Sequence, residues 1–101
     1  MIAMVPMNPR LMRPTRQRPR VPGAPRNVVA VETLPIYWER PLSDGGSPIT
    51  LYRVYVDGVL AETVAAPDTV TVDAVGAGSI VQVSAVNAVG EGPKSAPVVA
   101  T

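Results

Sequence analysis

The chain contains no cysteine and no histidine among its 101 residues. These two absences remove disulfides, thiol nucleophiles, imidazole bases and the usual zinc ligands together. A metal site built of carboxylates is left, but the eight acidic residues are scattered and show no calcium-loop spacing. Missing too is any apolar run near the roughly 18 residues of a membrane span. The apolar opening, Met1-Ile-Ala-Met-Val5, is broken by Pro6 and Pro9 and precedes the basic residues, whereas the apolar core of a secretory signal follows its charges. The expectation is a soluble protein with no cofactor, no membrane contact and no signal peptide. A chain of this length suits one domain, which buries about 60–65% of the surface of its unfolded form.

What is present divides the chain in two. Residues 1–20 hold five arginines and no acid, whereas the rest holds four basic residues against all eight acids, so a net charge of +1 hides an asymmetry. Six prolines (6, 9, 14, 19, 22 and 25) lie in the first 25 residues, with all four methionines. Proline fixes φ, removes donors and pushes its predecessor toward extended geometry, and no apolar period of either kind is visible. Residues 1–21 are therefore read as an extended arm without a core of its own. Methionine adapts to irregular apolar grooves, and arginine forms forked bonds to carboxylate or phosphate. The candidate partner-binding residues of the arm are Met4, Met7, Arg10, Leu11, Met12, Arg13, Arg16, Arg18 and Arg20. The arm has no aromatic residue to stack on bases, which favours a protein partner over nucleic acid.

From residue 22 onward the pattern alternates. Residues 27–33 read as a first strand, with Val28 and Ala30 on one face. Residues 34–40 follow, with Ile36 and Trp38 sharing a face and Tyr37 and Glu39 outward; the lone Trp is read as the centre of the core rather than as a ligand platform. Residues 41–48 form a loop around Gly45-Gly46. It lacks the Lys-Ser/Thr ending and the helix of a phosphate loop. Residues 49–57 place Tyr52, Val54 and Val56 on one face, and Asp57-Gly58 suits a tight hairpin into a short edge strand at 59–64. Residues 69–75 are expected to turn Val70 and Val72 inward. Val81, Val83 and Ala85 alternate with Gln82 and Ser84 before a turn at Asn87, Gly90 and Gly92, read as an exposed loop, and residues 96–101 close the chain. Seven short strands with turns between them and no helical period predict an all-β, antiparallel two-sheet sandwich over residues 22–101. Its predicted core is Val28, Ile36, Trp38, Tyr52, Val54, Val72, Val81, Val83 and Ala85.

Four motifs in order resemble the fibronectin type III domain. They are Ala24-Pro25-x-Asn27-Val28-x-Ala30, Trp38-x-x-Pro41, Gly45-Gly-Ser-Pro-Ile49-x-x-Tyr52-x-Val54, and Val81-x-Val83-x-Ala85-Val-Asn87-x-x-Gly90-x-Gly92-x-x-Ser95. The resemblance implies a seven-stranded, immunoglobulin-like sandwich without a disulfide. It departs at Ser79, where the family normally carries a tyrosine whose hydroxyl ties the strand to the preceding loop. The loop before it is also about two residues short of the family's usual spacing, so tyrosine and loop are read as lost together, leaving a domain of marginal stability without a partner.

Family members serve as adhesion modules, receptor ectodomains, spacers in bacterial polysaccharide-degrading enzymes and modules of bacteriophage structural proteins. The adhesive Arg-Gly-Asp loop is absent here. With a start at Met1 and an end at the last strand, receptor and spacer roles fit poorly. The expected function is a non-enzymatic bacteriophage virion protein, made in the host cytoplasm. It would be a capsid decoration or accessory protein whose arm binds capsid or tail subunits and whose sandwich faces outward. The alternatives are a nucleic-acid-associated protein using the Arg-rich arm, and a carbohydrate or cell-surface module with only Tyr37 and Tyr55 as platform. A homo-oligomer through the outward Val29, Val31, Tyr55, Val86 and Val89 stays open. An enzyme is excluded as the leading reading, because no base exists to activate Ser43 or Ser47, and Lys94 lies on another loop.

Overall fold

Alternation builds seven strands in the computed structural model, which describes residues 18–101. They are β1 (Arg26–Val29), β2 (Pro35–Glu39), β3 (Leu51–Val56), β4 (Val59–Ala65), β5 (Val70–Ala74), β6 (Ile80–Val86) and β7 (Val98–Val99). One sheet has the order β1-β2-β5 and the other β4-β3-β6-β7, all neighbours antiparallel. No helix long and apolar enough to cross a membrane occurs among the described residues.

The alternating positions face one another across the two sheets. Ile36 and Trp38 from β2 meet Tyr52 and Val54 from β3, and Val81, Val83 and Ala85 from β6 complete the buried set with Ala30, Val64 and Ala100. Val28 is partly buried and packs against this cluster. The Trp38 and Tyr52 rings stand edge to face at 5.4 Å, a geometry worth about 0.5–1.5 kcal/mol beyond the area it buries. Asp57 and Gly58 both take positive φ, as the two-residue hairpin between β3 and β4 requires.

Strand ends depart from the alternation wherever the backbone changes partner. The first strand stops at Val29 rather than reaching residue 33. Asn27 at φ 51° accompanies a register shift between Arg26 and Val29, and Leu34 N–H closes a turn on Val31 O. Beyond β1 the chain bonds the C-terminal residue instead: Thr101 N–H donates to Ala30 O and Glu32 N–H to Thr101 O. The last strand shortens to two residues, but Ala100 continues the pairing with Gly78 and Ser79. At the position where the family carries a tyrosine, Gly78 N–H donates to Ala100 O and Ser79 O accepts from Ala100 N–H, both at 2.8 Å.

The inward placement of Val72 is overturned. Val72 is 85% exposed and Val70 lies outside too, while Thr71 between them is 4% exposed. The reason lies in β2. A register shift between Pro35 and Tyr37 leaves Ile36 N–H facing β5 at a point where it bonds the Thr71 hydroxyl, at 2.9 Å. That hydroxyl in turn donates to Asp73 O at 2.6 Å. A buried N–H left without an acceptor costs about 1–3 kcal/mol, comparable to the gain from burying a valine side chain there. The outward Val72 keeps its N–H covered by Glu62 Oε2 at 2.8 Å, which blunts an exposed strand edge.

Candidate functional site

Two polar constructions on the sandwich join segments far apart in the sequence. The first holds the root of the N-terminal arm. Residues 20–23 run along one end of the sandwich between the β2–β3 loop and the loop after β6. Arg20 N–H donates to Gly45 O at 2.8 Å and Gly23 N–H to Ser43 O at 3.0 Å. From the other side, the Asn87 amide donates to Arg20 O at 2.6 Å and to Asp44 O at 2.8 Å. The Asn87 side-chain oxygen accepts from Val89 N–H and Gly90 N–H, so one buried side chain ties three segments together.

Two glycines make room for this root. A Cβ on Gly45 would stand 2.1 Å from Arg20 O, and one on Gly92 would stand 2.1 Å from Pro22 O. Gly45 also has φ +79°, whereas Gly92 is required by close approach alone. The stretch from Asn87 to Gly92 is therefore not the free turn that its composition suggests. Asn87 points inward and is 4% exposed.

The arm residues divide at this root. Met4, Met7, Arg10, Leu11, Met12, Arg13 and Arg16 lie outside the described residues. Arg18 and Arg20 are exposed, with the Arg20 backbone anchored as above.

The second construction is a polar cluster on the outer face of the four-stranded sheet. Glu91 folds back from its loop over β3 and β6. One carboxylate oxygen pairs with Arg53 Nη1 at 2.9 Å; the other accepts from the Ser84 hydroxyl at 2.5 Å and from the Tyr55 hydroxyl. The bond from Ser84, with those from Tyr55 and Arg53, holds the Glu91 carboxyl below the usual carboxylate range. The same carboxylate pushes the Tyr55 phenol up, first by hydrogen bonding and then with help from burial and charge. Lys94 Nζ sits 4.0 Å above the Tyr55 ring. Alternation alone marks Arg53 and Tyr55 as outward, but not the loop residue Glu91 that joins them. Ser84, on the polar phase of β6, is fully buried beneath this carboxylate.

Neither construction has the parts of a catalytic centre. Among the described residues no cluster of three metal-ligating side chains occurs, and Ser43 and Asp44 serve the loop: Ser43 Oγ accepts from Gly45 N–H and Asp44 Oδ1 from Gly46 N–H. Trp38 belongs to the core, 3% exposed, and its indole N–H is buried without an acceptor.

Comparison with known proteins agrees with this geometry. No protein-family model and no curated protein matches the sequence. Among solved structures the chain is similar to the central fibronectin III array of RIM-binding protein, with 30% identity, a TM-score of 0.57, and coverage of 71% of this chain and 31% of that one. It is also similar to domains A168–A170 of titin, with 25% identity, a TM-score of 0.58, and coverage of 82% and 34%. The chain spans about a third of the length of each array. Two antiparallel sheets, the Trp38–Tyr52 core and these likenesses define a fibronectin type III-like domain.

Proposed function

We propose that this chain is a non-catalytic protein-interaction module in which residues 1–21 act as the anchoring arm and the sandwich of residues 22–101 is the part displayed. The observation that carries this reading is the seat of the arm's root. Gly45, Asn87 and Gly92 fix Arg20 and Pro22 at one end of the sandwich, so the arm joins the sandwich at a defined point. Met4, Met7, Leu11 and Met12 supply apolar anchors, and the five arginines between residues 10 and 20 supply forked donors for carboxylates on a protein surface.

The specific form of the proposal is a structural protein of a bacteriophage virion, a decoration or accessory protein on capsid or tail subunits. Its support is the pairing of a folded display domain with an arm whose apolar and basic residues require a large surface to cover them. The test is deletion of residues 1–17, which leaves the root and the sandwich intact. The truncated protein is expected to fold as before but to stay off purified particles, and incorporation at the full level would refute the arm's role. A polycation acting on nucleic acid gives a different result. Five phosphate contacts give a log-log salt slope of about −4 to −5 on duplex DNA, whereas attachment to a protein shell is far less sensitive to salt.

A further inference from the structure

A cavity of about 590 Å³ opens between β2 and β3 on the side of the β4–β5 turn, within the size range of small-molecule sites. Trp38, Ile49, Tyr52 and Pro67 supply the apolar part of its lining, the two rings almost wholly buried. Four charged residues also line it, and three have partners. Arg26 pairs with Glu39 at 3.6 Å and donates through Nε to Arg40 O, while Asp44 accepts from Gly46 N–H. Arg40 is the fourth. Its guanidinium has no acceptor among the described residues. A second unpaired donor, the Trp38 indole N–H, belongs to a ring in the same wall.

We propose that this cleft is a binding site for a small apolar carboxylate, its carboxylate on Arg40 and its apolar body against Trp38, Ile49 and Pro67. An exposed guanidinium without an acceptor, beside a cleft lined in part by apolar side chains, suits a ligand that combines acceptor oxygens with a hydrophobic body, and a planar guanidinium matches a carboxylate through two parallel bonds. Arg40 is exposed and lines the cleft, and its charge offsets part of the burial that raises the Tyr52 phenol. The cleft shares Asp44 with the loop that seats the arm's root, and shares no residue with the polar cluster around Glu91.

Because Trp38 is the single tryptophan, the isotope-labelled full chain gives one indole N–H signal, and that signal reports the cleft directly. Phenylacetate is expected to shift it saturably. Phenylacetamide, of nearly the same shape without the charge, is expected to bind about tenfold more weakly, as is phenylacetate to the Arg40→Gln variant, the loss expected for one charge-assisted bond. Arg40 is exposed, so the variant should keep the backbone spectrum of the parent and its loss of affinity is not a loss of fold. An indole signal that phenylacetate leaves unmoved, or equal binding of acid and amide with no effect of Arg40→Gln, would overturn the proposal.

Discussion

The Asn87 side-chain amide donates to the Arg20 carbonyl at 2.6 Å across 67 positions of sequence, joining the loop after the central strand β6 to the root of the N-terminal arm. The same amide reaches Asp44 O. Replacing Asn87 by Ala removes both donors and the acceptor for Val89 and Gly90 N–H in a buried setting. A loss of about 2–4 kcal/mol in urea unfolding is expected, together with faster hydrogen exchange at Arg20 and Gly23. Unchanged exchange at those two amides would show that the root is held by other means.

Gly92→Ala tests close approach without a conformational preference. The added Cβ would meet Pro22 O at 2.1 Å and has only backbone to push, so the root must move. Gly58→Ala is the contrast, since its Cβ meets nothing and the cost is that of φ +82° for a non-glycine residue, about 1–2 kcal/mol. Gly92→Ala is expected to be the more damaging of the two in thermal unfolding. The reverse order would mean that the root adjusts freely.

The cluster around Glu91 makes stability depend on pH at both ends. The folded-state pKa of Glu91 lies below its ordinary 4.5, so its stabilisation is present above that value and is lost as pH falls through the folded pKa. Tyr55 is shifted up from 10.0, so its contribution is present below 10.0 and is lost as pH rises through the folded value. Denaturant midpoints should therefore fall on the acid side of the carboxylate range, and Glu91→Gln should flatten that fall. An acid limb with the same slope in the variant would assign it to other carboxylates.

At β5, Thr71→Val leaves Ile36 N–H without its acceptor and is expected to cost about 1–3 kcal/mol despite adding a methyl group to the interior. Val72→Thr, one position on, should change stability by less than about 0.5 kcal/mol, because its side chain is exposed. Equilibrium unfolding of the two variants side by side decides which residue of this strand faces the core.

Ser84 in β6 shows how far a strand can be read from its letters. Val81, Val83 and Ala85 alternate without ambiguity, and all three are fully buried. Ser84, on the opposite phase, is equally buried, because Glu91 folds over it from a loop that no local pattern connects to the strand. The arm's root is similar. Its prolines announce extended chain, but the glycines that receive it, Gly45 and Gly92, lie in two loops 47 positions apart and carry ordinary turn composition.

Period-two alternation, the Asp57-Gly58 turn and the proline-rich start are local properties, and they were enough to define two antiparallel sheets with Trp38 at their centre. The phase of β5 was not local. Val70, Thr71 and Val72 are all β-branched and suit either face, and the choice fell to Thr71 because a register shift in a neighbouring strand left an N–H in need of an acceptor. The inward turn of Asn87 and the seating of Arg20 depended likewise on carbonyls brought together from distant segments. Side-chain period says which residues are able to be buried; the hydrogen-bonding demands of the assembled backbone decide which of them are.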